Sequence, residues 1–202
     1  MKRSILSADK NYTFSDFFEL VYPVEDIVNE FGYDFSFELL KLPKEQLEKG
    51  VLEDFQNEVL RSLPKISLNS EIARREFLIA PILLKLLKFI DVRINAEYPL
   101  NVEKNLRGTL DYLIRSDTQL TVIEAKKGDL EKGFSQLAVE LIAVAKYEDE
   151  EHDVLFGAVT SGDLWKFGKL ENIGKKITKD INTYRIPADM VEIFGILLGI
   201  LR

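Results

Sequence analysis

The chain has 202 residues, 46% of them apolar, and a formal net charge of −7, which is enough to bury a core as one domain or one domain with an extension. With no cysteine and one histidine, His152, it has no disulfide framework, no thiolate metal site and little scope for zinc-imidazole chemistry or a Ser-His-Asp triad. Any metal must be held by oxygen, which suits magnesium, manganese or calcium.

The negative charge argues against a strong nonspecific polyanion binder, since phosphate contacts supply most of such affinity. It is unevenly placed. Residues 1–65 hold 8 basic and 13 acidic residues, residues 66–202 hold 19 and 21, and Glu148 to Asp153 supplies five of those acids. The opening MKRSILSADKNYTF has no apolar stretch long enough for a signal peptide, and no later window approaches a membrane span. A cytoplasmic location is expected.

Phe14, Phe17, Phe18, Val21, Ile27, Val28 and Phe31 stand near helical spacing, so residues 12–31 read as one helix or two, interrupted at Pro23. Tyr33 to Leu39 alternates like a half-buried strand until Pro43, and residues 44–62 return to a helical pattern. This block, 1–65, is expected to be a mostly helical extension. From residue 66 the pattern grows regular. SLNS caps an amphipathic stretch from about Glu71 to Phe89, which Pro81 should kink. Strand-like segments follow at about Ile94 to Val102, Gly108 to Ile114 and Leu120 to Lys126. A helix is expected from Leu130 to Tyr147, a buried strand from Val154 to Thr160, and two further helices over 172–182 and 188–201. The order helix, three strands, helix, strand fits an α/β chain with a mixed sheet and helices on its faces.

Alternation over Leu120 to Lys126 puts Leu120, Val122, Glu124 and Lys126 on one face, so a carboxylate and an ammonium end an otherwise apolar strand face. Unpartnered burial of either would cost several kcal/mol. The plain explanation is that the two pair with each other at the strand's end. Asp111 changes the weighing, because an acid inside Gly108 to Ile114 is disfavoured by strand propensity. If these strands are neighbours, Asp111 and Glu124 converge, and two carboxylates so placed repel unless a cation lies between them. A divalent metal held by both acids and the Ala125 carbonyl would serve, leaving positions for water and a phosphate oxygen. Lys126 would lie beside it, placed to orient or deprotonate the water and to offset developing charge.

The run GTLDYLIRSDTQLTVIEAKKGDLEKGFSQLAVELIA resembles the core of the PD-(D/E)XK, or restriction endonuclease-like, nuclease superfamily, with a pattern nearest the nuclease domain of type I restriction motor subunits. That family has a strand acid, a second strand ending in ExK, then a helix carrying Gln. The matching positions are Asp111, Glu124, Lys126 and Gln136. NSEIARREFLIAPILLKLL resembles the helix that opens the same core, whose acid aligns best with Glu71, with Glu76 the alternate. Val159 to Gly162 with Leu164 to Phe167 is similar to the strand and turn that close these domains. Leu110 stands where the family has proline. The resemblance covers about residues 67–170. It implies an αβββαβ core over 66–202, Mg2+ or Mn2+ as cofactor, nucleic acid as partner with DNA the expected substrate, and hydrolysis of phosphodiesters. In that picture Asp111 and Glu124 bind the metal, Glu71 completes the acidic pocket, and Gln136 positions Lys126 or phosphate. The alternative is a catalytically silent nuclease-fold module that binds or regulates a partner. Residues 1–65 could cover the site, supply a surface for a homodimer or larger assembly, or dock on a partner.

Each supporting residue has a plainer reading. Glu71 could simply favour the positive end of a helix. Gln136 and Glu140, one turn apart, could form a solvated stripe or face substrate. Trp165 and Phe167 read as packing residues. Lys169, Lys175, Lys176 and Lys179 could track a phosphate backbone, but a solvated helix face is favoured. His152, in an acidic loop, is expected to be exposed.

Overall fold

The computed structural model describes residues 4–117, 119–126, 128–148 and 152–202. Residues 149–151 of the acidic segment, and Thr118 between the strand-like segments expected at Gly108 to Ile114 and Leu120 to Lys126, lie outside the described residues.

The chain forms an α/β protein around one eight-stranded mixed sheet. Two short helices, α1 (Phe14–Glu19) and α2 (Val24–Asn29), precede the first strand, β1 (Asp34–Glu38). Helix α3 (Glu53–Ser62) follows, then α4 (Glu71–Arg74), a π turn (Arg75–Ile79) and α5 (Ala80–Leu86) as one continuous stretch. Strands β2 (Arg93–Glu103), β3 (Leu106–Arg115) and β4 (Leu120–Ala125) lead into α6 (Leu130–Tyr147) and β5 (Val154–Thr160). The chain ends with β6 (Leu164–Glu171), β7 (Lys176–Asp180), β8 (Tyr184–Arg185) and α7 (Met190–Leu201). Among the described residues no helix is long and apolar enough to cross a membrane.

The strand order is β1-β7-β6-β5-β4-β3-β2, with β8 paired to β6. β4 runs parallel to β5, and β1 parallel to β7; the other pairs are antiparallel. Two cores lie on opposite faces. One joins α1, α2 and α6 through Phe17, Ile27, Phe134, Leu137 and Val122. The other joins α3, α5 and α7 through Phe55, Leu83, Phe194, Ile123 and Ala125. β4 is therefore covered on both sides, which is why its run before Glu124 is mostly apolar on both faces, with Thr121 the buried polar exception.

The expected kink at Pro81 takes the form of the π turn just before it. Proline lacks the N–H that would reach the carbonyl four residues back, and its ring crowds that carbonyl, so the backbone widens there. Ser70 caps the start, its Oγ accepting the Ala73 N–H at 3.1 Å.

Two expectations are corrected. Residues 172–182 are not a helix: Lys176–Asp180 is strand β7, wedged between β1 and β6. Its inward-facing charged residues, Lys179 and Asp180, are buried, and they hid the strand from a reading based on apolar periodicity. The helix expected over 44–62 is only α3, Glu53–Ser62. Residues 43–45 instead lie against α7, where the Glu45 N–H reaches the Gly195 carbonyl at 2.9 Å.

Candidate active site

β3 and β4 pair antiparallel, with Tyr112 opposite Ile123 as the last pair. One step further the register sets Asp111 beside Glu124. There the backbone ladder gives way to a side chain, since Asp111 Oδ2 accepts the Ala125 N–H at 2.8 Å. On β2, the residue that would face Asp111 is Glu97. It drops out of the pairing between Ala96 and Tyr98 and adopts a left-handed backbone, φ 51°. For a residue with a Cβ that conformation costs about 1–2 kcal/mol, and such strain tends to gather at functional sites.

Glu124 points toward α6 and is 1% exposed. Its Oε1 receives Lys126 Nζ at 2.6 Å and Gln136 Nε2 at 2.6 Å. Gln136 Nε2 also reaches Glu140 Oε1 at 2.8 Å, so Gln136 and Glu140, both buried, form a buried polar chain and not a solvated stripe. Gly133 allows α6 to approach this closely: a Cβ there would stand 2.7 Å from Val159 Cγ2 and 3.1 Å from Lys126 Cγ. Three oxygens in the chain, Glu124 Oε2, Gln136 Oε1 and Glu140 Oε2, are buried and have no hydrogen-bond donor from the protein.

Burial first, then the Asp111 charge, pushes the Glu124 carboxyl up to about 8, while Lys126 opposes the rise. Burial, then the charge of Glu124, holds Glu140 well above the usual carboxylate range. Burial lowers Lys126, but its Glu124 partner outweighs that and keeps it raised. These directions agree with one another if the acid pair carries one proton. Glu140 is the better holder, because Glu124 has the Lys126 ammonium against it and Glu140 has no cation among the described residues. Lys126 is then an ammonium, suited to stabilising negative charge and orienting water but not to removing a proton. Asp111, also raised by burial, is opposed by the Ala125 N–H and by Arg75.

Glu71 is half-buried in the first turn of α4, and its charge acts on both Asp111 and Lys126. Glu76, the alternate, is exposed on the π turn. Among the described residues, no group of three Asp, Glu or His side chains is assembled to hold a metal. The donors that would fit a divalent cation are the Asp111 carboxylate, the Ala125 carbonyl and the orphaned Glu124 Oε2, all hard oxygens.

Sequence reasoning missed two participants, Arg75 and Glu97, and left a third, Glu140, without a role. Arg75, one turn after Glu71, pairs with Asp111 at 3.1 Å and also with Glu97, and lies over the Tyr112 ring at 5.3 Å. Glu97 carries no local signal. Glu140 was noticed, but only burial gives it a role. Trp165 and Phe167 are wholly buried packing residues, and Trp165 Nε1 donates to the Gly162 carbonyl at 3.1 Å. His152 is half-buried. No protein-family model matches the chain, and no characterised protein has a significantly similar sequence.

Proposed function

We propose that this protein is a metal-dependent nuclease that hydrolyses nucleic-acid phosphodiesters, with DNA the expected substrate and Mg2+ or Mn2+ the cofactor. The observation that carries this reading is that Asp111, Glu124 and Lys126 meet where β4 ends beside the middle of β3, with the acid of β3 tied to the residue between the other two. The helix, three strands, helix, strand order around them fits the restriction endonuclease-like core that the sequence resembles.

Asp111 and Glu124 would hold the cation together with the Ala125 carbonyl, and Glu71 would add negative charge from α4. Bound there, the cation would neutralise the phosphodiester and acidify a water. Lys126, already an ammonium, would orient the attacking water and offset charge on the phosphate. Gln136 would hold Glu124 in place through its amide, with Glu140 behind it, as partners of ligating carboxylates commonly do.

The test is calorimetric titration of Mg2+ and Mn2+ into wild type and Asp111→Ala, with cleavage of labelled DNA and RNA followed in the same samples. The reading requires metal binding and cleavage in the wild type, and loss of both in the variant. A second reading, a catalytically silent module of the same fold, is favoured by one observation: Arg75 and Lys126 already neutralise Asp111 and Glu124. Absence of metal binding in the wild type would select it.

A further inference from the structure

Beyond this site, a second charged cluster lies on the same face of the sheet. Lys166 of β6 and Lys179 of β7 are both buried, 8% and 6% exposed. Both ammoniums end on one carboxylate, Glu131 in the first turn of α6: Lys166 Nζ at 3.1 Å from Oε1, and Lys179 Nζ on Oε2. Two cations against one anion leave an excess positive charge in a largely desolvated place. A purely structural clasp gains nothing from that surplus, since burying an ammonium costs several kcal/mol unless it is fully compensated. Of the other acids on these strands, Glu171 pairs with Lys169, and Asp180 accepts the N–H groups of Leu40 and Asn182.

The carboxylate itself is replaceable. The Glu131 side chain is 61% exposed and borders a cleft of about 280 Å³ formed with Leu20 to Val24, Lys132 and Ser135. Burial pushes its carboxyl up, but the two lysines outweigh this and hold it below the usual range, so it stays charged. On the other side, Phe37 of edge strand β1 is half exposed, with Lys179 Nζ 4.6 Å and Lys166 Nζ 5.5 Å from its ring centre. Paired ammoniums beside an exposed aromatic ring form a combination that suits a nucleotide: charge for phosphate, a ring face for a base.

The placement relative to the candidate active site follows from the register. Glu124 pairs with Val159, and Val159 with Lys166, so Lys166 lies two strands from Glu124, about 10 Å at ordinary strand spacing. A phosphate held there would belong to a nucleotide close to the scissile bond.

We propose that Lys166 and Lys179 form a second anion site, which grips a backbone phosphate of the nucleic-acid strand near the scissile bond. Glu131 occupies the phosphate's place in the free protein, and Phe37 stacks a neighbouring base. The proposal rests on the nuclease reading and names how that site would hold its substrate.

The test uses the full chain and a fluorescein-labelled 12-nucleotide single-stranded DNA in Ca2+, with affinity measured against salt. Lys166→Gln and Lys179→Gln are each expected to weaken binding about tenfold and to flatten the salt dependence by about 0.7 per lysine. Glu131→Gln is expected to tighten binding severalfold, because the lysines lose their internal competitor. Phe37→Ala, a change on an exposed ring that leaves folding intact, is expected to weaken binding roughly tenfold. Unchanged affinity and salt slope in all four variants would overturn the proposal and leave the cluster as a clasp between α6 and the sheet. Cleavage by the wild type in Mg2+ separates the two claims. Cleavage with insensitive variants sinks the anion site alone; a wild type that neither binds the oligonucleotide nor cleaves it sinks both; sensitive variants without cleavage or metal binding sink the nuclease reading alone.

Discussion

Asp111 accepts the Ala125 N–H at 2.8 Å, so the acid of β3 is tied to the backbone between Glu124 and Lys126. Asp111→Asn retains an oxygen for that N–H and removes only the charge facing Arg75 and Glu124. It is expected to keep the fold while lowering cleavage roughly 10²-fold or more, whereas Asp111→Leu also orphans a buried donor and loses about 1–3 kcal/mol of stability. Urea unfolding beside cleavage rates would separate the two variants, and equal activity in Asp111→Asn and wild type would count against the proposed role.

Gln136 donates to Glu124 and Glu140 through one nitrogen. Gln136→Ala is expected to reduce metal affinity or cleavage by about 10- to 100-fold, the usual effect of removing a residue that orients a ligand. Glu140→Gln is expected to be milder than Glu140→Ala, because the amide can still hydrogen-bond in place of a protonated carboxyl. Calorimetry with Mn2+ reads both.

Gly133 lies under Lys126 and Val159. Gly133→Ala places a methyl 2.7 Å from Val159 Cγ2, so α6 must shift outward. The expected result is a loss of about 1–3 kcal/mol from overpacking, together with weaker cleavage at a temperature where the variant remains folded. Unaltered cleavage by folded Gly133→Ala would show that the α6 spacing does not set the site.

Gly199 tests the contact between α7 and residues 43–45. A Cβ there would stand 2.5 Å from the Lys44 nitrogen and 2.6 Å from the Pro43 carbonyl carbon. Backbone cannot rotate aside as a side chain can, so Gly199→Ala is expected to cost about 1–3 kcal/mol in urea unfolding, with no change in metal affinity.

Asp16 provides a pH signature. The Lys10 ammonium, then the Thr13 N–H and hydroxyl, lower its carboxyl to about 2, against about 3.9 when unfolded. Between those values the folded chain binds fewer protons. The contribution is therefore complete above about pH 5 and is lost as pH falls through 4 toward 2. Asp16→Asn is expected to cost about 1 kcal/mol at pH 7, as loss of a helix cap does, and to flatten the decline in stability across that acid range. Urea midpoints at pH 7 and 3 measure it.

Much of the architecture was legible in local pattern. Strand patterning located β4, a short buried run located β5, and the helix expected from Leu130 to Tyr147 is α6. The same alternation put Glu124 and Lys126 on one face, and an acid inside a strand singled out Asp111. Other features escaped because they depend on what packs against them. Lys179 looks solvated until β1 and α6 close over it. Lys44 and Glu45 read as helix until the glycines of α7 admit their backbone against it.

The sequence by itself determined the order of elements from α4 to β5 and the residue types of the candidate site, because side-chain periodicity and backbone propensity act over a few neighbours. Only the tertiary structure decided which charges meet. Arg75 reaches Asp111, Glu140 sits behind Gln136, and one glutamate faces two lysines, since burial and pairing depend on strand register and helix docking between segments far apart in the chain.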